Sequence, residues 1–120
     1  MTRSTPVSLI APFVIEELKE AGVADDRIRF IAAIGTHGTL DRDSLSKKLG
    51  NEIVSRFPVY NHCPFMNCTY VGTTSLGLKA FVNSEVVACD LKIGIGQITP
   101  HVMAGFSGGG KIIMPGVSSY

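Results

Sequence analysis

The chain has 120 residues, 45% of them hydrophobic and 18% charged, with a formal net charge of +1, which is enough apolar material for a single domain spanning 1–120. Its charges are not clustered, which argues against a nucleic-acid partner, and no apolar stretch approaches the ~20 residues that cross a membrane. The N-terminus lacks a signal-peptide pattern and three cysteines cannot all pair within one chain, so we expect a reducing, cytoplasmic setting.

The first predicted elements are an amphipathic helix and a strand. Apolar residues recur at steps of three and four between Leu9 and Ala21, which is the spacing of one helix face. The helix either runs the full length of this pattern or begins near Pro12, because an interior proline removes one backbone hydrogen bond. Arg27–Ile34 begins as an alternation and becomes a continuous apolar run, which predicts a strand that ends buried on both faces.

Short helices and a hairpin are predicted in the middle of the chain. Asp41 or Asp43 can cap the first of these helices, and Gly50 suits its end. Asn83 or Ser84 can cap a single helical turn that ends at Val87. The predicted elements are helices at Asp41–Leu49 and Glu52–Phe57, a strand at Val59–Tyr60, and hairpin strands at Thr69–Thr74 and Lys79–Asn83 around Ser75-Leu76-Gly77.

A further strand is predicted over the apolar segment Leu91–Ile98. Gly94 and Gly96 fall on one face of it, which indicates close approach of another backbone. The glycine-rich tail that follows is predicted to be irregular, with at most a short helix at Lys111–Met114. Helices that alternate with apolar strands predict an α/β fold with a mostly parallel sheet flanked by helices.

Two histidines follow the two most apolar predicted strands. His37 stands between glycines directly after the first strand, and His101 comes just after the second. Ligands in open α/β sheets bind outside the carboxyl ends of strands, and imidazole can exchange a proton near neutral pH. The pair is therefore predicted to flank one pocket as general acid and base. A turn-capping or merely exposed histidine is the alternative at each position.

A glycine-rich loop precedes Lys111. Gly105 to Lys111 matches the first seven positions of a nucleotide-binding P-loop, but Ile112 replaces the hydroxyl residue that would hold Mg²⁺, which disfavours an ATPase. The amides of Gly108, Gly109 and Gly110 can still cradle an anion, and Lys111 can contact a phosphate or act as a nucleophile. A non-catalytic anion- or nucleotide-binding module built on this loop is the alternative function.

The cysteines offer a weaker possibility. His62, Cys63 and Cys68 lie close in sequence, but no second pair of ligands completes a tetrahedral zinc site. A metal-binding structural domain is kept as a third interpretation. Cys89 follows an apolar run and is predicted to be part of the core.

Taken together and in this order, several segments resemble the nickel-dependent lactate racemase family, and the resemblance covers essentially the whole chain. The longest and most specific block runs from Gly96 to Lys111. The motifs are Thr2-Arg3 followed by Pro6, Gly35-Thr36-His37, Gly72-Thr73-Thr74-Ser75 with Gly77, Val82-Asn83 with Glu85-Val86-Val87, Gly96-Gln97 with Pro100-His101, Gly105-Phe106-Ser107-Gly108-Gly109-Gly110-Lys111, Pro115-Gly116-Val117 and Ser119-Tyr120.

This resemblance implies an enzyme that interconverts the enantiomers of lactate or another small 2-hydroxy acid. Its cofactor would be a nickel pincer nucleotide joined covalently to Lys111. His37 and His101 would act as alternate bases while hydride passes between the substrate and the pyridinium ring. Thr2 and Arg3 match the part of the family that binds the nucleotide phosphate, which suits a guanidinium.

The resemblance also implies a larger, two-domain parent enzyme. Family members are much longer than this chain, and the histidine that ligates nickel in the family lies beyond Tyr120, so none of the residues here is assigned to the metal. Gly38 stands where the family commonly carries an arginine, and Cys63 where an acidic residue is usual. We therefore expect a fragment of the amino-terminal catalytic domain that is inactive without the remaining domain.

Overall fold

The computed structural model describes residues 5–119 and mixes helices with short strands, which confirms the α/β class. The helices are α1 Val7–Glu20, α2 Arg42–Leu49, α3 Asn51–Arg56 and α4 Ser84–Val87. The strands are β1 Phe30–Ala32, β2 Val59–Asn61, β3 Cys68–Thr73, β4 Lys79–Asn83, β5 Pro100–His101 and β6 Gly105–Phe106. Two 3-10 turns span Asp25–Arg27 and Gly109–Ile112. Within the described residues, no helix is both long and apolar enough to cross a membrane.

The strands pair as three two-stranded sheets: β1 with β2, β3 with β4, and β5 with β6. The second and third pairs are antiparallel. In the β1–β2 pair, the Phe30 N–H donates to Pro58 O over 2.9 Å, and the His62 N–H donates to Ala32 O over 3.3 Å. Both bonds advance in the same direction along the two strands, as in a parallel pair. The predicted predominance of parallel pairing is therefore not found among the described strands, because two of the three pairs connect neighbours through short turns.

Contacts between residues divide the chain into two compact units: residues 1–31 with 40–60, and residues 32–39 with 61–120. In the first unit α1 packs on α2, and α2 on α3. Val7, Ala11 and Ile15 of α1 are buried at four-residue spacing, as one face of a helix requires. The helix extends from Val7 to Glu20 without a break at Pro12, which removes only the one bond that its N–H would make to Ser8 O.

The start of α2 is capped by Asp41, whose carboxylate accepts from the Ser44 N–H over 2.8 Å. Bonds from the Ser44 hydroxyl and backbone N–H hold the pKa of Asp41 below its ordinary value.

Because the pKa of Asp41 is lower in the folded state than in the unfolded state, the ionised carboxylate stabilises the fold at any pH above the unfolded-state pKa. This stabilisation is lost as the pH falls through the folded-state pKa. We expect Asp41→Ala to lower the unfolding temperature at pH 7, and the difference from wild type to shrink below about pH 4. A difference that thermal scans find independent of pH contradicts the ionised cap.

Both predicted apolar strands need correction. Only Phe30–Ala32 of the first is a strand, and these residues are half-buried rather than covered on both faces. Residues 91–98, all described by the structure, form no strand with any other described segment. Leu91 and Ile98 are 64% and 74% exposed. The prediction was wrong because an apolar extended segment becomes a strand only when a partner backbone lies beside it.

The hairpin in the second unit is confirmed. β3 and β4 pair from Cys68 with Asn83 to Thr73 with Lys79, with one irregularity after Tyr70. The turn contains Gly77, whose φ of +80° is a conformation that favours glycine. The hairpin leads directly into α4, which Asn83 caps as predicted.

Candidate active site

The predicted site residues His37, His101 and Lys111 all lie in the second unit, each on a different segment. His37 follows β1 on an exposed loop, and His101 ends β5. Lys111 is half-buried in the 3-10 turn Gly109–Ile112. The second strand that was predicted to lead into His101 does not form, so β5 is only two residues long. Thr2 and Arg3, the predicted phosphate contacts, lie outside the described residues.

Gly116 connects the loop of His37 to the turn of Lys111. Its carbonyl accepts from the Gly35 N–H over 2.9 Å, and its N–H donates to Lys111 O over 3.0 Å. A side chain is not tolerated at this position, because a Cβ on Gly116 would collide with Ile112 O and would lie 2.7 Å from the Ile112 carbonyl carbon. The glycine therefore allows one residue to bond both candidate segments at once.

The glycine loop before Lys111 is anchored at its two ends and open between them. A Cβ on Gly108 would lie only 2.9 Å from Gln97 O, so two backbones pass close together there. Added Cβ atoms on Gly109 and Gly110 would meet nothing within 4 Å. Ile112, directly after Lys111, occupies the position that carries a hydroxyl in a P-loop. Its side chain lies close to two glycines: a Cβ added to Gly94 would be 3.6 Å from it, and one added to Gly96 would be 2.5 Å from it. The predicted close approach at these two glycines is therefore made chiefly by a side chain.

His101 uses one ring nitrogen to accept hydrogen bonds from the turn that follows it. The backbone N–H groups of Met103 and Ala104 donate to Nδ1 over 3.3 and 3.2 Å. A nitrogen that accepts from N–H groups carries no proton, so the neutral ring has its proton on Nε2. The basic lone pair of this tautomer is the one on Nδ1, and the two backbone N–H groups occupy it.

The zinc interpretation of His62, Cys63 and Cys68 is not supported. His62 is 1% exposed, and both ring nitrogens are hydrogen-bonded within the protein. Burial and the neighbouring Cys63 raise the pKa of the Cys68 thiol, which disfavours the thiolate that binds metals. Among residues 5–119, no group of three or more His, Cys, Asp or Glu side chains is placed to hold a metal ion. Cys89, predicted in the core, is half-buried.

Comparison with known proteins places this arrangement in a family. The family model of the lactate racemase N-terminal domain matches residues 1–120. The chain belongs to this family. Lactate racemase from Lactiplantibacillus plantarum is 33% identical over 99% of the chain, and that from Thermoanaerobacterium thermosaccharolyticum is 31% identical over 98%. The solved structure of the lactate racemase apoprotein from T. thermosaccharolyticum superposes with a TM-score of 0.89 at 31% identity, over 98% of the chain.

The chain spans only part of these lactate racemases. It covers 28% of the length of both curated relatives and 28% of the solved chain. The similarity in structure extends over nearly the whole of the present chain, so the segments that carry His37, His101 and Lys111 lie within the shared domain. Their roles as bases and as the attachment point stay predictions, as does the common cleft for the two imidazoles.

Sequence reasoning missed the contribution of Ser107 in this lactate racemase domain. Ser107 is 3% exposed, and its hydroxyl donates to Gln97 O over 2.9 Å and accepts from the Thr99 N–H over 3.0 Å. Its own N–H donates to Thr99 O over 2.9 Å. These bonds join the β5–β6 pair, which carries His101, to the start of the glycine loop. The only sequence signal was one hydroxyl residue within a run of glycines.

Proposed function

We propose that this chain supplies the proton-transfer residues and the cofactor attachment of a racemase for lactate or a similar 2-hydroxy acid. Family membership supports the reaction class, and the observation that carries the site is the pair of hydrogen bonds at Gly116, which hold the His37 loop and the Lys111 turn to one another. Ser107, at the start of the glycine loop, hydrogen-bonds Gln97 and Thr99, which lie directly before the strand of His101.

The residues present fit the organic part of the proposed cofactor, a nickel pincer nucleotide. Lys111 offers an amine for covalent attachment, and nothing lies within 4 Å of a Cβ added to Gly109 or Gly110, so the backbone of these glycines is open to a phosphate group. Thr2 and Arg3 are proposed as phosphate contacts. No described cluster can ligate nickel, so the ligand would come from the remainder of the parent enzyme. When bound, this cofactor would supply a reversible acceptor for the substrate hydride.

The proposed task of the two histidines is to move one proton at the substrate hydroxyl. As hydride leaves the carbon that bears the hydroxyl, one imidazole takes the hydroxyl proton, and a 2-keto acid results. Return of hydride to the opposite face, with a proton from the second histidine, produces the other enantiomer. In this scheme the Met103 and Ala104 N–H groups release Nδ1 when His101 acts as the base, because the neutral tautomer already carries its proton on Nε2.

The remaining proposals concern the whole parent enzyme. Residues 1–120 are proposed to act as one α/β domain, whose predicted parallel sheet is completed by other parts of a cytoplasmic, two-domain protein. The second domain is proposed to complete the substrate site and to exclude water, because electrostatic interactions strengthen in a closed cleft. The present chain alone is accordingly proposed to be inactive.

A non-catalytic anion- or nucleotide-binding module is the second candidate function. The open space over Gly109 and Gly110 beside Lys111 also fits a phosphate group that binds without any covalent bond. The two candidates differ in one observable, the covalent modification of Lys111.

Mass spectrometry of the parent enzyme, made together with the cofactor's biosynthetic enzymes, is expected to find the cofactor on the peptide that contains Lys111. Lys111→Ala should abolish the adduct, because it removes the amine proposed for attachment, and should change stability by no more than about 0.5 kcal/mol. Lys79→Ala, at an exposed position of β4, is the matched control and should keep the adduct. An adduct that survives Lys111→Ala overturns the assignment, and an unmodified wild type that binds phosphate favours the binding module.

A further inference from the structure

His62 lies at the centre of a buried polar network that the proposed reaction does not use. Its side chain is 1% exposed, and its neighbours Asn83 and Ser118 are 4% and 2% exposed. Buried polar groups of this kind are costly unless each is hydrogen-bonded, so a fully satisfied network specifies one arrangement of the segments it joins.

The hydrogen bonds of this network fix the orientation of both side chains. Asn83 accepts from the Glu85 N–H over 3.0 Å, so the accepting atom is the amide oxygen and the NH₂ group is turned to His62. That NH₂ group lies 3.2 Å from Nδ1 and can only donate, so Nδ1 carries no proton. The proton is therefore on Nε2, which donates to Ser118 O over 2.9 Å.

The segment that His62 holds is the one that connects the candidate site. Val117 O accepts from the Asn83 N–H over 2.8 Å, and Ser118 forms a bridge with Val82 of β4. Gly116, directly before these residues, makes the two bonds to the His37 loop and the Lys111 turn. The backbone N–H of His62 also donates to Ala32 O at the end of β1, three residues before Gly35. His62 thus restrains both partners of the Gly35–Gly116 bond.

We propose that His62 is a positioning residue, which holds the Gly116–Ser118 segment through the Ser118 carbonyl and so sets the relative placement of the His37 loop and Lys111. The bearing of this on catalysis rests on the proposed function, whereas the restraint on the backbone does not. We do not propose His62 as a catalytic residue, because its ring is buried and both ring nitrogens are hydrogen-bonded to Asn83 and Ser118.

The restraint is tested on the 120-residue chain by amide hydrogen exchange. His62→Leu fills the volume without hydrogen bonds, and we expect the Gly35 and Gly116 amides to exchange at least roughly tenfold faster. In His62→Gln the amide nitrogen can donate to Ser118 O and the amide oxygen can accept from Asn83, so exchange should stay within about threefold of wild type. The Leu45 amide, bonded to Asp41 O in the first unit, is the internal control. Unchanged exchange in His62→Leu, or equal acceleration in both variants, overturns the proposal.

A measurement on the wild-type chain covers the case in which His62→Leu does not fold. Nitrogen chemical shifts of the His62 ring distinguish its two neutral tautomers. A proton on Nε2 agrees with the proposal, and a proton on Nδ1 overturns it, because Ser118 O then has no donor from this ring.

The link to catalysis is tested in the full-length enzyme. Per folded molecule, His62→Leu should lower both the Lys111 adduct and kcat roughly tenfold while KM changes less than about twofold, and His62→Gln should restore both. Ile53→Val, a buried change in the first unit, is the destabilised control and should keep both. Equal losses in Ile53→Val overturn the positioning role. If wild type carries no adduct while the exchange result holds, the proposed function fails and the restraint stands.

Discussion

Replacing Gly116 with alanine is expected to destabilise the chain by more than any other single methyl addition among its glycines. The new Cβ would collide with Ile112 O and would lie 2.9 Å from Lys111 O, and these are backbone atoms that cannot rotate away. Overpacking of this kind typically costs about 1–3 kcal/mol. In a domain of this size, thermal unfolding should therefore shift downward by roughly 5–20 °C.

Gly110→Ala is the matched control for this experiment. It adds the same methyl group six residues earlier, where an added Cβ meets nothing within 4 Å. Its unfolding temperature should stay within about 3 °C of wild type, since substitutions away from packed features change stability little. If Gly116→Ala unfolds at the same temperature as Gly110→Ala, the close contact with Ile112 is wrong. In the parent enzyme, Gly116→Ala should also impair the attachment of the cofactor to Lys111.

Removing either proposed base is expected to have the largest effect on activity. In the full-length enzyme, His37→Ala and His101→Ala should each slow racemisation by roughly 10²–10⁴-fold, which is the usual contribution of a positioned acid or base. Because each histidine serves one face of the substrate, each variant should still convert one enantiomer to the keto acid. The two variants should prefer opposite enantiomers. Single-turnover assays with each pure enantiomer measure this directly.

The cofactor content of each histidine variant is the necessary control. Neither residue is proposed to attach the cofactor, so the Lys111 peptide should carry the adduct in both variants to the same extent as in wild type. Lys79→Ala, which is distant in sequence from both histidines, should racemise at the wild-type rate. Equal loss of both enantiomer half-reactions in either variant, with the cofactor in place, would contradict the assignment of paired bases.

Elements with local signals were predicted well. Helix α2 begins after Asp41 and ends before Gly50, as the sequence indicates, because a capping side chain and a terminal glycine act on backbone groups only a few residues away. The β3–β4 hairpin has the predicted turn at Gly77 for the same reason. The residues of the candidate site were likewise visible in the sequence as His37, His101 and Lys111, since chemistry depends on residue type.

Elements that need a distant partner were predicted poorly. The Leu91–Ile98 pattern has the apolar character of a buried strand, yet hydrogen bonding in a sheet depends on a second backbone that the pattern does not identify. Ser107 and Gly116 stood in a glycine-rich tail that was predicted to be irregular. Ser107 matters because of its hydrogen bond to Gln97, and Gly116 because of its close approach to Ile112. Neither contact follows from the conformational preference of the residue itself.

The sequence by itself determined the family, the α/β class, the helix caps and the three residues proposed to perform the chemistry, because each of these depends on residue identity or on contacts within one or two turns of the chain. Only the tertiary structure decided that Gly116 bonds both the His37 loop and the Lys111 turn, and that His62 is buried beneath Ser118. A single histidine in a sequence can be a base, a metal ligand or a buried donor. The groups that surround its two ring nitrogens distinguish these roles, and those groups come from residues 21 and 56 positions away.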